Sequence, residues 1–274
     1  MRVLVLVIVS FDKPVYYDML RVWREMYLTN DSVWFIECKS ESEWIGDIVN
    51  DIREPSLSQS LSQSLSQSLS QSLSQSQSNS LSQSLELDIA NKTLFVKGNE
   101  CLIPGILHKT VEALSYFLSM DSSIEFVWRT NLSSVLDFAG LQRYVESISL
   151  KTLSGGALSG DALSGDALSK GFYGGYIGKA VGENIFFASG AGFLMSRDVA
   201  EYLVLNKASL RWDLIDDVAI GALLEPKFGI QFIERLWIQN GDEDICGVFH
   251  YRCESYMHLR TVEFMRYVIC KLYR

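Results

Sequence analysis

The chain is short of positive charge: 24 lysines and arginines face 33 aspartates and glutamates across 274 residues, a formal net charge of −9. A nucleic-acid groove needs clustered cations to displace the counterions of a phosphate backbone, so that class of partner is excluded. Phosphate-cradling glycine loops are missing too. Neither G-x-G-x-x-G nor G-x-x-x-x-G-K-S/T occurs, which argues against an unrelated dinucleotide-binding or P-loop protein. Cysteine amounts to five scattered residues, Cys38, Cys101, Cys246, Cys253 and Cys270, without a C-x-x-C pair. That pattern supports neither a zinc site nor a disulfide framework, and the thiols are expected to be reduced and mostly buried. No apolar run suits a membrane span. The opening RVLVLVIVSF is short, β-branched and followed by no signal-cleavage pattern, so it reads as a core strand in a chain without a transmembrane segment.

With 48% hydrophobic residues, the chain can bury one substantial α/β core. Two stretches stand apart from it. Residues 56–85 repeat SLSQ with no charge, and residues 153–169 repeat LSGDA. Serine competes with its own backbone for hydrogen bonds, and these compositions bury too little apolar surface to offset chain ordering. Both are expected to be disordered surface insertions without chemistry, suited to a microbial or viral chain, within one domain spanning residues 1–274.

Outside the repeats, periodicity orders the elements. Residues 3–11 predict a strand, followed by a helix presenting Tyr16, Met19, Leu20 and Trp23, and a second strand over 33–38 completes a βαβ start. Ligands of open α/β sheets bind beyond the carboxyl ends of the strands, which puts Ser10, Phe11 and Asp12 at a rim; Phe11 either stacks on a ligand or belongs to the core. A short strand is expected over 93–97, a helix after Pro104-Gly105, a central strand over 125–130 and an amphipathic helix over 134–149. GFYGGYIG at 171–178 reads as a strand, residues 229–233 as another, and residues 255–274 as a closing helix. Tyr173 and Tyr176 either stack on sugar faces or pack.

The most informative stretch is residues 186–224. A buried strand carries Gly190 and Gly192, where backbone turns tightly or something approaches closely. A helix follows with Ser196 as its cap, Asp198 in its first turn and Val199, Tyr202 and Leu203 inward. Then DDVAIGALL sets Asp216 and Asp217 at the start of a further helix containing a close-packing Gly221. Two carboxylates there either cap the helix or supply a base.

The ordered set Gly190, Gly192, Phe193, Ser196, Asp216, Asp217, Val218 and Gly221 resembles the β1,3-galactosyltransferase/N-acetylglucosaminyltransferase and Fringe-like family. Lys109-Thr110 and Arg129-Thr130 match that family's upstream frame. The resemblance implies a GT-A fold, a Rossmann-like mixed central sheet flanked by helices, and an inverting hexosyltransferase. It implies sugar transfer from a nucleotide-sugar, most simply a UDP-sugar, to a glycan hydroxyl, with Asp217 or its neighbour Asp216 as the base. The donor side would comprise Ser10, Phe11, Lys109, Arg129, Asn131, Ser133, Gly190, Gly192 and Arg252, and the acceptor side Tyr173 and Tyr176. Eukaryotic members carry a signal-anchor; without one, a cytoplasmic enzyme is expected, whose sequons at Asn30, Asn91 and Asn131 stay unmodified.

The strand ends in Asn131-Leu132-Ser133, where the family has the acidic D-x-D that binds manganese or magnesium. Amide and hydroxyl are poor ligands for a hard dication, so metal dependence is doubtful and Arg129, Lys109 or Arg252 would meet the diphosphate charge. His250 lies where such enzymes often place a metal-binding histidine; otherwise it is merely hydrogen-bonded. The neutral D-x-D also motivates a rival reading: a catalytically inactive relative that binds nucleotide-sugar or glycan. The retained acid pair favours the enzyme.

Overall fold

The computed structural model describes residues 1–10, 13–43, 84–155, 170–233, 236–237, 248–253 and 262–272, with the backbone alone at 150–155 and 236–237. β1 (Arg2–Ile8) alternates strictly: Val3, Val5 and Val7 enter one core layer, Leu4, Leu6 and Ile8 the other. A strand apolar on both faces belongs in the middle of a sheet covered on both sides. α1 (Val15–Tyr27) crosses over to β2 (Val33–Lys39), which runs parallel to β1 with Val5 opposite Val33. The expected βαβ unit is present, although its first strand ends at Ile8 and Phe11 and Asp12 lie outside the described residues.

Next come β3 (Leu85–Asp88), β4 (Thr93–Lys97), α2 (Gly105–Met120) and β5 (Ile124–Asn131). β6 (Ser134–Leu136) and α3 (Phe138–Gly155) occupy the stretch for which the sequence predicts one helix from residue 134. The backbone at 134–136 instead pairs antiparallel with a late strand, and the helix begins only after Asp137. β7 (Tyr173–Lys179), β8 (Phe186–Ser196), α4 (Arg197–Leu205), α5 (Asp216–Phe228) and β9 (Gln231–Phe232) follow. The chain closes with β10 (Leu236–Trp237), β11 (His250–Arg252) and α6 (Val262–Leu272).

Among the described residues, eight strands form the main sheet in the order β3-β4-β2-β1-β5-β8-β7-β9, and β10, β11 and β6 form a smaller one. Helices α1, α3 and α6 cover one face, and α2, α4 and α5 the other. The result is the expected α/β architecture, a mixed central sheet flanked by helices. Strands β4, β2, β1 and β5 are parallel, whereas β8 runs antiparallel to β5 and brings its glycine segment beside the carboxyl end of β5. No helix among the described residues is long and apolar enough to cross a membrane.

Several local expectations need correction. Ser196 stands at the N-cap of α4 without capping it. Its hydroxyl donates to Asp198 at 2.6 Å and accepts from the Phe172 amide at 3.0 Å, so the pair anchors the entry to β7 instead. The predicted strand at 229–233 contracts to Gln231–Phe232. The cysteines are not mostly buried: Cys101 and Cys270 are exposed, Cys38 is half-buried, Cys253 is buried, and Cys246 lies outside the described residues. Burial pushes the Cys38 thiol up to about 11 and that of Cys253 up to about 12, so both are inert. The two repeats fall almost wholly outside the described residues.

Gly221 behaves as the sequence suggests. A Cβ there would meet the Phe187 side chain and lie 2.7 Å from the Phe186 carbonyl oxygen. Alanine is the better helix former by about 1 kcal/mol, but forcing backbone from backbone in a packed interface costs roughly 1–3 kcal/mol. Gly221→Ala is therefore expected to lower the urea midpoint, and an unchanged or raised midpoint would show that α5 can slide on β8.

Candidate active site

Strand register assembles the rim. Ile8 on β1 pairs with Asn131, and on β5 Arg129 and Thr130 lie opposite Phe193 and Gly192 of β8. Asp216 and Asp217 open α5 against the same segment of β8. Arg129, Asn131, Gly190, Gly192, Asp216 and Asp217 thus converge where β5 ends, and β11 adds His250 and Arg252 through its pairing with β6.

Arg129 is 2% exposed and spans the cluster. Its guanidinium donates to Asp216 and to the Gly190 carbonyl and lies over the Phe193 ring, 5.7 Å from the centroid. Burying a charge costs several kcal/mol unless a counter-charge and hydrogen bonds replace water. Here the acid, the carbonyl and the ring face supply that replacement.

Asp217 does different work. Its Oδ2 accepts the Gly190 amide at 2.7 Å and its Oδ1 the Val218 amide at 2.9 Å. The N-cap position belongs to Ile215, which makes no side-chain cap bond. The acid pair therefore tethers α5 to β5 and β8 rather than serving as an ordinary helix cap. Burial, then the Asp216 carboxylate, pushes the Asp217 carboxyl up to about 6, against the lowering pull of the Gly190 amide and Arg129. A carboxylate of that basicity, half-buried at the rim, can take a proton from a hydroxyl near neutral pH.

The two glycines let something approach closely, and what approaches is the protein's own chemistry. A Cβ on Gly190 would lie 3.1 Å from Arg129 Nη1 and 3.2 Å from Asp217 Oδ2; one on Gly192 would lie 2.6 Å from the Trp128 ring and 2.8 Å from His250 Nε2. His250 is 1% exposed, packed on the Trp128 ring at 5.3 Å, with Nε2 3.4 Å from Thr130 Oγ1.

Asn131 is the hub of the outer rim. Its Oδ1 accepts from Arg252 Nη1 at 2.6 Å, Ser133 Oγ at 3.0 Å and Ser134 Oγ at 3.3 Å, while its Nδ2 donates to the Gly190 carbonyl at 3.3 Å. An amide oxygen engaged by three donors, one of them cationic, offers nothing to a divalent ion. Among the described residues no group of three or more His, Cys, Asp or Glu side chains comes together. Asn131 and Ser133, an amide and a hydroxyl bonded to each other, are poor ligands for manganese or magnesium.

Other sequence-selected residues are placed elsewhere. Lys109 is fully buried; its Nζ donates to Glu100 at 2.6 and 2.8 Å and to the Val9 carbonyl, closing the end of β1 beside the half-buried Ser10. Tyr173 is a packing residue: fully buried, its hydroxyl accepts the Ala188 amide at 3.1 Å, and burial raises its pKa. Tyr176 is 40% exposed, its ring 6.0 Å from that of the exposed Phe232. Sequence reasoning missed Glu100, Ser134 and Phe232. The Ser133-Ser134 doublet signals the second; nothing in spacing marks the other two.

Removing the acid from a buried pair strands the guanidinium, at a typical cost of about 3–5 kcal/mol. Asp216→Ala is expected to fall in that range by urea denaturation, whereas a loss below about 1 kcal/mol would mean that water already reaches Arg129.

No protein-family model and no curated protein matches the chain. Among solved structures it is similar to 4-diphosphocytidyl-2C-methyl-D-erythritol synthase from Anaerococcus prevotii, at 10% identity and a TM-score of 0.39, covering 100% of this chain and 96% of that one. It is also similar to the galactosyltransferase LgtC in complex with donor and acceptor sugar analogs, at 10% identity and a TM-score of 0.38, covering 100% and 97%. Likenesses this distant assign no residue of this chain a role.

Proposed function

We propose that this chain is a glycosyltransferase of the GT-A type, transferring a sugar from a nucleotide-sugar, most simply a UDP-sugar, to a glycan hydroxyl with inversion. The observation that carries the reading is Asp217: a carboxyl raised to about 6 and fixed by the Gly190 amide at the carboxyl rim of an α/β sheet. A general base needs both a pKa near the working pH and a fixed position. Structural acids rarely need the first.

In this mechanism the acceptor hydroxyl hydrogen-bonds to Asp217. Its oxygen attacks the anomeric carbon of the donor sugar, the proton passes to the Asp217 carboxylate, and the bond from that carbon to the diphosphate oxygen breaks. The nucleoside diphosphate leaves with the electron pair, on the face opposite the attack. Asp216 holds Arg129 and, as a second negative charge, keeps Asp217 basic. The exposed Tyr176 and Phe232 offer ring faces to an acceptor sugar. The β1,3 linkage and a hexosyl donor are carried from the sequence resemblance. The rival reading, an inactive nucleotide-sugar or glycan binder, predicts binding without turnover.

Positioned proton transfer typically contributes about 10²- to 10⁴-fold. With a nucleotide-sugar panel and oligosaccharide acceptors, Asp217→Asn is expected to lower kcat by that factor while donor affinity holds. A folded, donor-binding Asp217→Asn enzyme with wild-type kcat would remove the base assignment.

The pH dependence has a definite sign. The base works deprotonated, so kcat/KM should rise with pH along an acid limb centred near 6, the Asp217 value. Because the Asp216 carboxylate raises that value, Asp216→Asn should move the limb to lower pH. A limb that stays put, or moves up, would place the titrating group elsewhere.

A further inference from the structure

The face of the sheet turned away from α5 holds a cavity of about 400 Å³ that the transfer chemistry does not use. One wall is the start of α3. Asp137 stands just before the helix, and Gly140, Arg143 and Tyr144 follow at a spacing that keeps all four on one side of it. The facing wall is Ile233, Val248 and Phe249. Main-chain bonds set both walls. The Asp137 amide donates to the Phe249 carbonyl at 2.7 Å, the Leu141 amide to the Asp137 carbonyl at 2.9 Å, and the Ile233 amide to the Gly175 carbonyl at 2.9 Å. Gly140 permits the close approach: a Cβ there would lie 2.7 Å from Phe249 Cβ and 2.6 Å from Asp137 Oδ2. The cavity is thus built into the backbone, and its volume falls within the roughly 300–1,000 Å³ of small-molecule sites.

The lining discriminates between ligand classes. Asp137 and Arg143 meet at 3.4 Å, the acid 21% and the guanidinium 70% exposed, so the site carries one charge of each sign and repays neither a lone anion nor a lone cation. An exposed pair at that distance is weak and opens readily toward a polar ligand. Tyr144 and Phe249 set their ring centroids 5.1 Å apart with a tilt of 38° and, with Val248 and Ile233, form an apolar floor. Burial raises the Tyr144 pKa, so its phenol stays protonated and can both donate and accept. A wholly apolar ligand would strip water from the acid and the guanidinium without replacing its hydrogen bonds. A pyranose suits both halves: its C–H face lies on the rings, and neighbouring hydroxyls bridge a carboxylate and a guanidinium. We propose that this cavity is a saccharide-binding site, taking one neutral hexose unit through Asp137, Arg143 and Tyr144 on the face of the sheet opposite α5. The site needs no step of the transferase reading; in a transferase it would give a glycan a second hold, away from the reacting hydroxyl.

The test is saturation-transfer NMR on the full chain, titrated with lactose, cellobiose, maltose and chitobiose, and separately with inorganic phosphate. At least one disaccharide is expected to bind, and phosphate is not. Arg143→Ala, at an exposed position that leaves the fold intact, and Asp137→Asn are each expected to weaken that disaccharide by about 10-fold, the lower end for losing a hydrogen bond to a charged group. Tyr144→Phe, which keeps the ring and loses the hydroxyl, should weaken it about threefold. Tyr176→Ala should bind it as wild type does, which separates the cavity from the aromatic pair beside the candidate base. No disaccharide bound, phosphate bound in their place, or binding that depends on Tyr176 and is untouched by Arg143→Ala would each overturn the proposal. A disaccharide captured through Arg143 by a chain that turns over no nucleotide-sugar would leave the site standing without the transferase reading.

Discussion

The ion pair between Arg129 and Asp216 is the constraint from which the rest of the rim follows. It joins the central strand to the first turn of α5, and through the Gly190 carbonyl it also joins β8. A buried guanidinium tolerates little displacement, because each group it leaves becomes an uncompensated charge or carbonyl. With the helix end fixed by its neighbour, Asp217 is positioned by the Gly190 and Val218 amides. Its basicity comes from the same arrangement. Burial first and the Asp216 carboxylate second push the Asp217 carboxyl up to about 6, while the Gly190 amide and Arg129 hold it back.

The chemistry of Asn131 complements this. An acid at that position would form an ion pair with Arg252, whereas the neutral amide meets the guanidinium through a hydrogen bond. Ser133 and Ser134 also donate to the amide oxygen, so Asn131 is oriented as firmly as a carboxylate would be while carrying no charge.

Much of the fold was legible from the sequence because its signals are local. Strict alternation in β1, the helical stripe of Met19, Leu20 and Trp23, and the apolar run of β5 each state their own burial. The sequence marks Gly190 as a point of close approach and Asp217 as a base, but that the two meet is visible only in the fold. What local pattern cannot give is who meets whom across the sheet. Residues 134–136 read as the start of a helix because nothing nearby says that residues 250–252 will arrive to pair with them. Lys109 looked available for a ligand, since Glu100, its partner, shares no helical spacing with it. Tyr173 and Tyr176 sit in one glycine-rich strand; alternation and depth in the sheet bury the first and leave the second at the surface.

Helix α1 reaches the rim by a route that involves no ligand. The Trp23 indole donates to the Leu132 carbonyl at 3.0 Å, and the Tyr27 hydroxyl donates to that of Leu136, so one helix face holds the turn between β5 and β6 and the far end of β6. Asn131, Ser133 and Ser134 lie in and beside that turn, which is therefore anchored through Leu132 to the helix behind it. The placement of Asn131, Ser133 and Ser134 is consequently tied to the first crossover helix. Repacking Trp23 or Tyr27 would retune the mouth of the rim from behind, in the manner of a lens adjusted by its mount rather than by its glass.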